Sequence, residues 1–288
     1  PMRLTRVLSP LIVLTAMAVP ASVVHAQRYW HDEQGRDAFR LDFGLPFLKG
    51  DGHKFFTGTM VPSMTIRAGE GIRVEADIPV ARAAVEGAST LRLGNPYLGL
   101  RIGDDAKPVS GILGIRFPLS RRTTTPIAGQ AVQVGTISDY DDFEAYAANL
   151  LTLRGGLEFR RIRSNGLLVG ARAATSLQVN TSGDPAADSE MSLDYGFRTG
   201  YEGGRLLATA ALTGRYVLTA PAFGFACATD DDECNPKGFN ERTHHQITGV
   251  VELRSMSFRP RITLRVPLDE DLRNIAGAVL GVGVSIGR

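Results

Sequence analysis

Between Leu151 and Val179, apolar and polar residues alternate for longer than a strand of a soluble domain needs. Leu151, Leu153, Leu157 and Phe159 fall on one face, with Thr152, Arg154, Glu158 and Arg160 on the other. After a turn from Arg163 to Gly166, Leu167, Val169, Ala171, Ala173, Leu177 and Val179 resume the apolar face against Gly170, Arg172, Ser176 and Gln178. Successive side chains of a strand point to opposite faces, so the pattern predicts a hairpin with one apolar and one charged side. Strands of about ten residues joined by short turns are the repeating unit of a transmembrane β-barrel.

The same alternation recurs over Ala38 to Leu48, Phe55 to Arg67, Ile72 to Ala81, Asn95 to Gly103 and Gly111 to Leu119. Beyond the hairpin it returns over Met191 to Glu202, Arg205 to Thr219, His244 to Arg254, Ser257 to Leu268 and Ile275 to Ile286. With the hairpin these make twelve strands, which predicts an all-β chain folded as an antiparallel up-and-down transmembrane barrel. An even count brings both ends of the barrel to one side. The short turns then share that side and the long connections share the other. The longest connection, Ser120 to Leu150, includes a stretch from Ser138 that reads as a short helix with Asp139, Asp141, Asp142 and Glu144 near its start. That stretch either constricts the mouth or covers the rim. A soluble β-sandwich or lipocalin-like barrel would alternate too, but it would turn its apolar face inward and expose its arginines.

With the apolar face toward lipid, the inward face collects Arg40, Arg73, Arg101, Arg116, Arg154, Arg160, Arg172, Arg198, Arg215, Arg254, Arg259, Arg261 and Arg265. Six acids oppose them: Asp42, Glu75, Asp77, Glu158, Asp194 and Glu252. The strands therefore predict a basic lumen, with compensating acids in outer loops at Asp139 to Glu144, Asp230 to Glu233 and Asp269 to Asp271. Fixed positive charge in a narrow pore is an anion filter. Arginine and carboxylate ladders that merely fill and stiffen a barrel use the same residues. The selectivity candidates are Arg116, Arg154, Arg160, Arg172, Arg198, Arg215, Arg259, Arg261 and Arg265, with Glu158, Asp194 and Glu252 as their counter-charges.

Composition adds an address. Arg3 and Arg6, the apolar run Val7 to Val19 and the small-residue signature Val24-His25-Ala26 predict a secretory signal peptide over residues 1–26. Residues 27–37 are then a polar periplasmic lead, and 38–288 the barrel. Removing Arg3 and Arg6 takes the formal charge from +2 to zero. Mean hydropathy is −0.03, as expected when half of each strand meets lipid and half a polar lumen. Cys227 and Cys234 are the only cysteines, and in an oxidising compartment they predict a disulfide closing an acidic loop. Asp230, Asp231, Asp232 and Glu233 within that loop are weak candidates for a divalent cation; more often such a run is a solvated tip.

Candidate chemistry is sparse. His244 and His245 lie beside an acidic loop, the ingredients of a surface hydrolase, but no Ser, His and acid constellation has a defensible spacing. The glycines follow strand parity rather than a phosphate-binding motif. No catalytic residue, enzyme activity, cofactor or nucleic-acid partner is predicted. The expected partners are outer-membrane lipid and lipopolysaccharide, the barrel assembly machinery and a small-molecule solute.

Three segments resemble bacterial outer-membrane barrels named for the MetA pathway of phenol degradation, relatives of the long-chain fatty-acid transporter group. They are Val74-Glu75-Ala76-Asp77-Ile78-Pro79-Val80, Leu93-Gly94-Asn95-Pro96-Tyr97-Leu98-Gly99-Leu100-Arg101 and Gly114-Ile115-Arg116-Phe117-Pro118. The resemblance implies an outer-membrane channel for small aromatic or hydrophobic compounds, from which the arginine-rich inward face departs. Together the readings favour a barrel for passive passage of small solutes. The alternatives are a non-conducting barrel whose extracellular loops bind a partner or surface ligand and, further off, a surface hydrolase.

Overall fold

A computed structural model describes Trp30 and residues 37–49, 57–85, 87–104, 107–182, 189–219, 242–254 and 257–287. The cysteine loop, with Cys227, Cys234 and Asp230 to Glu233, lies outside the described residues, as do residues 1–29.

The ring strands are β1 (Ala38–Leu48), β2 (Gly58–Gly69), β3 (Ile72–Asp77), β6 (Tyr97–Ile102), β7 (Val109–Arg116), β8 (Leu150–Ile162) and β9 (Leu167–Asn180). They continue with β10 (Ser189–Glu202), β11 (Leu206–Val217), β12 (Thr243–Leu253), β13 (Phe258–Pro267) and β14 (Ala276–Gly287). Between β3 and β6 stand β4 (Val80–Val85) and β5 (Ala88–Leu93). Each ring strand pairs antiparallel with its neighbours, and β1 pairs with both β14 and β2, which closes the sheet. Of the fourteen strands, β4 and β5 form a hairpin that joins only the start of β2, so the closed barrel has twelve. Closure leaves the ring without an open edge, so the backbone groups along it are paired from strand to strand around the sheet.

The two faces separate as the alternation requires. Phe39, Leu98, Leu153, Phe197, Leu212, Ile262, Leu264 and Val282 are exposed on the outside, while Arg101, Arg116, Arg154, Arg198 and Arg215 are buried inside. A barrel with an apolar outside and a charged inside is stable only in hydrocarbon, because water would leave the outer face unburied. Leu264 sits mid-strand on β13, opposite Gly249 and Leu280. Leu264→Arg is therefore expected to destabilise the barrel in lipid vesicles by about 2–4 kcal/mol, read as a lowered urea midpoint.

Two regions depart from the strand pattern. The segment Ile72 to Ala81 breaks after Asp77, since Pro79 carries no N–H for a ladder and biases Ile78 to extended backbone. The chain then turns out of the ring into the β4–β5 hairpin, whose turn uses Gly87 at φ 77°. The helix expected over Ser138 to Leu150 forms instead just before it, as α1 (Pro126–Ser138) with proline in its first turn. Gly129 and Gly135 weaken the helical signal there, but Gly135 is required because the Tyr146 ring lies against its Cα. Ala131 and Val134 pack on Ala83, and Val132 packs with Ala81, Ala145 and Tyr146, so α1 is held on the hairpin by small apolar contacts. The acidic stretch that follows becomes a 3-10 turn, Tyr140–Ala145, rather than a helix. A second short helix, α2 (Glu270–Ile275), occupies the connection read as a plain loop between β13 and β14.

Candidate functional site: the lumen and its inward-folded loop

The acids from Asp139 to Glu144 do not compensate the lumen from outside. They enter it. Asp142 and Glu144 are fully buried and Asp139 is 4% exposed, because the β7–β8 connection folds down into the barrel and sets its carboxylates on wall arginines. This corrects the assignment of that run to an outer loop. An acid paired with a buried guanidinium in a low dielectric is held more strongly than one interacting with a helix end.

Arg116, at the end of β7, is the first anchor. Its Nη1 donates to Asp77 Oδ1 at 3.0 Å and to the Asn95 carbonyl at 2.6 Å, while Nη2 pairs with Asp142 and with Asp77 Oδ2 at 3.4 Å. Its guanidinium also stands 5.3 Å above the Tyr97 ring. Arg154 on β8 donates from Nη2 to Glu144 Oε1 at 2.9 Å, from Nη1 to Asp142 Oδ1 at 3.3 Å and from Nε to Ser176 Oγ at 2.8 Å. Arg215 on β11 donates to the same Glu144 oxygen at 2.7 Å and to Asp194 Oδ1 at 2.6 Å, and lies 4.7 Å over the Phe143 ring. Gln178 Nε2 adds a third donor to Glu144 Oε1 at 3.0 Å. Asp141 Oδ2 accepts from Thr213 at 2.7 Å and Gln246 at 3.1 Å, and Arg265 reaches the Ser138 carbonyl at 2.9 Å and Asp139 at 3.8 Å. Strands β7, β8, β9, β11, β12 and β13 therefore all hold one loop.

A second tier lies nearer the short turns. Arg101 bridges Glu75 at 3.2 Å and Glu158 at 2.6 Å; Arg160 pairs with Glu202, and Arg254 with Glu202 and Glu252 at 3.2 Å each. Arg261 contacts Asp42 at 3.4 Å, and Arg259 is buried on the same strand face. Of the named arginines and their counter-charges, all but the part-buried Arg265 are buried on the inward face of their strands. The basic surplus shrinks to thirteen arginines against twelve acids: Asp139, Asp141, Asp142, Glu144, Glu190 and Glu202 join the six strand acids, and most arginines are neutralised in pairs. Arg172 and Arg198 stand apart, stacked at 4.9 and 5.1 Å on the ring of Trp30. Trp30 belongs to the segment read as a polar lead, yet it is 1% exposed within the barrel.

Asn95 was not singled out by the sequence. It is fully buried, and its Nδ2 donates to the carbonyls of Glu144 at 2.8 Å and Ala147 at 2.7 Å while its Oδ1 accepts from the Ser120 N–H at 2.7 Å. An asparagine between Gly94 and Pro96 reads as a turn residue; its partners lie 25 to 52 positions away and leave no local signal.

His244 and His245, adjacent in sequence, point to opposite faces of β12. His244 meets the Tyr140 ring edge-on at 5.5 Å inside, and His245 shares a 2.8 Å hydrogen bond with the Tyr195 hydroxyl outside. They form no joint site. Among the described residues no group of three or more His, Cys, Asp and Glu side chains has the arrangement of a metal site.

No family model matches the chain, and no curated protein matches it. Solved structures do. The COG4313 outer membrane channel from Pseudomonas putida F1 superposes with a TM-score of 0.58 at 7% identity, over 92% of this chain and 100% of that one. The NanC porin superposes with a TM-score of 0.53 at 8% identity, over 87% and 98% respectively. At such identities the likeness is one of fold: this chain has the closed barrel architecture of bacterial outer-membrane channels.

Proposed function

We propose that the protein is a bacterial outer-membrane channel that passes small solutes passively along a polar, arginine-rich lumen, narrowed by the β7–β8 connection. The observation that carries this reading is a loop drawn into the barrel by its own carboxylates, since a barrel without traffic has no need of a charged constriction tied to six strands. The names of the two solved neighbours, a porin and an outer membrane channel, agree with it. So does the resemblance to the MetA-pathway group, with the charged lumen favouring hydrophilic anions over apolar compounds. Residues 1–26 act as the export signal in this reading, and the outer face meets lipid and lipopolysaccharide after insertion by the assembly machinery.

A second reading rests on how full the lumen is, because its arginines and acids are nearly all below a tenth exposed. A barrel closed in this way would leave the work to its extracellular loops. Planar-bilayer recording of the refolded protein separates the two. Small openings whose reversal potential in a salt gradient lies toward the anion, with the preference weakened in Arg261→Ser/Arg265→Ser, support the channel. A folded, heat-modifiable protein that never conducts overturns it in favour of the loops.

A further inference from the structure

Arg172 and Arg198 break the pattern of paired lumen arginines. They are 6% and 1% exposed. None of the three guanidinium nitrogens of Arg172 has a hydrogen-bond partner, nor has Nε of Arg198, and neither residue makes an ion pair among the described residues. The nearby carboxylates are committed elsewhere: Glu158, directly across from Arg172, binds Arg101, and Asp194 binds Arg215, Arg154 and Ser176. Glu158, Asp141 and Asp194 act on the two guanidinia only at a distance, without a direct hydrogen bond or ion pair. Two buried cations without a direct partner are expensive, and a fold keeps such a pair where an anion from outside completes it.

The site also has a shape. Arg172 lies opposite Gly196 and Arg198 opposite Gly170 on the paired strands β9 and β10. A Cβ on Gly196 would meet the Trp30 ring at 2.9 Å, and one on Gly170 would meet Arg198 Nε at 2.7 Å. Gly196 cuts the wall back where a flat group lies against the guanidinia, and Gly170 leaves room for the Arg198 side chain to lie along it. The indole of Trp30 fills that place and satisfies their faces by cation–π contact. It does nothing for their N–H edges and cancels no charge.

We propose that Arg172 and Arg198, over Gly170 and Gly196, form a binding site for a planar aromatic carboxylate, and that Trp30 is the internal group such a solute displaces. The solute's ring takes the indole's position, and its carboxylate takes the forked N–H edges that the indole leaves unfilled. The site deepens the channel reading by naming a solute class, and it rests on that reading for its access.

Trp30 is the only tryptophan in the chain, so intrinsic fluorescence reports this site alone. The full-length refolded protein in detergent micelles is titrated with benzoate, with cyclohexanecarboxylate, which has the same charge but no π-face, and with sulfate. The expected result is a saturable red shift with benzoate as the indole moves toward water, at about tenfold lower concentration than with cyclohexanecarboxylate. Arg172→Gln and Arg198→Gln, which remove unpaired charge and should leave folding intact, lose the response. Gly196→Ala, by crowding the ring, is red-shifted before any solute is added. No benzoate response in a heat-modifiable protein, a response retained in both arginine variants, or equal responses to all three probes would overturn the site. A conducting protein without the fluorescence response would keep the channel and discard the site; the response without conductance would do the reverse.

Discussion

Arg116→Met is expected to be the most damaging single substitution in the lumen, lowering stability by about 4–5 kcal/mol, toward the upper end for breaking a buried ion pair. The reason is what it strands. Asp77 is 2% exposed and its carboxylate is held by Arg116 through both oxygens, so removal of the guanidinium leaves a buried charge with no replacement. Asp142 loses Arg116 and keeps Arg154, and the Asn95 carbonyl loses its donor. The measurement is the urea midpoint of the refolded protein in vesicles, followed by heat-modifiable mobility. Asp77→Asn in the same background should recover part of the loss, because the orphaned charge is then gone. Additive losses in the double variant would show that the pair is not coupled and that the damage comes from packing.

Glu144→Ala is expected to cost less stability, about 3 kcal/mol, and to change function more. Arg154 and Arg215 both lose the shared oxygen Oε1, but Arg154 retains Asp142 and Ser176, and Arg215 retains Asp194. No guanidinium is left bare, which places the effect at the low end for a buried pair. The loop itself loses its central tie to β8, β9 and β11. Asp142, Asp141, the Asn95 amide and the Arg265 contacts at Ser138 and Asp139 still hold it. Single-channel conductance should rise severalfold, with more open time and less discrimination between ions. An unchanged conductance in a stably folded Glu144→Ala protein would mean that the loop does not lie on the conduction path.

The ring of twelve strands was legible because it depends on a local rule. Side-chain direction reverses at every residue of a strand, so a charged face and an apolar face declare themselves within ten positions, as in Arg154, Glu158 and Arg160 against Leu153, Leu157 and Phe159. The same parity put Arg154, Arg198 and Arg215 on the buried face of their strands without reference to any contact. It misled only where the chain left the ring: at Asp77, where Pro79 ends the strand, and in the β7–β8 connection, where parity has no meaning.

What the sequence determined by itself was therefore which way each strand residue faces, and from that a barrel with a polar interior. What only the tertiary structure decided was the partner of each buried charge. Asp142 and Glu144 have the same composition signature whether they solvate a rim or lock a loop to Arg116, Arg154 and Arg215, because pairing energy depends on proximity across strands that are distant in sequence. The same holds for Trp30: nothing near it in sequence announces that its ring stacks with Arg172 and Arg198. Periodicity encodes direction, a property of one strand; the lumen's balance of charge is a property of all twelve together.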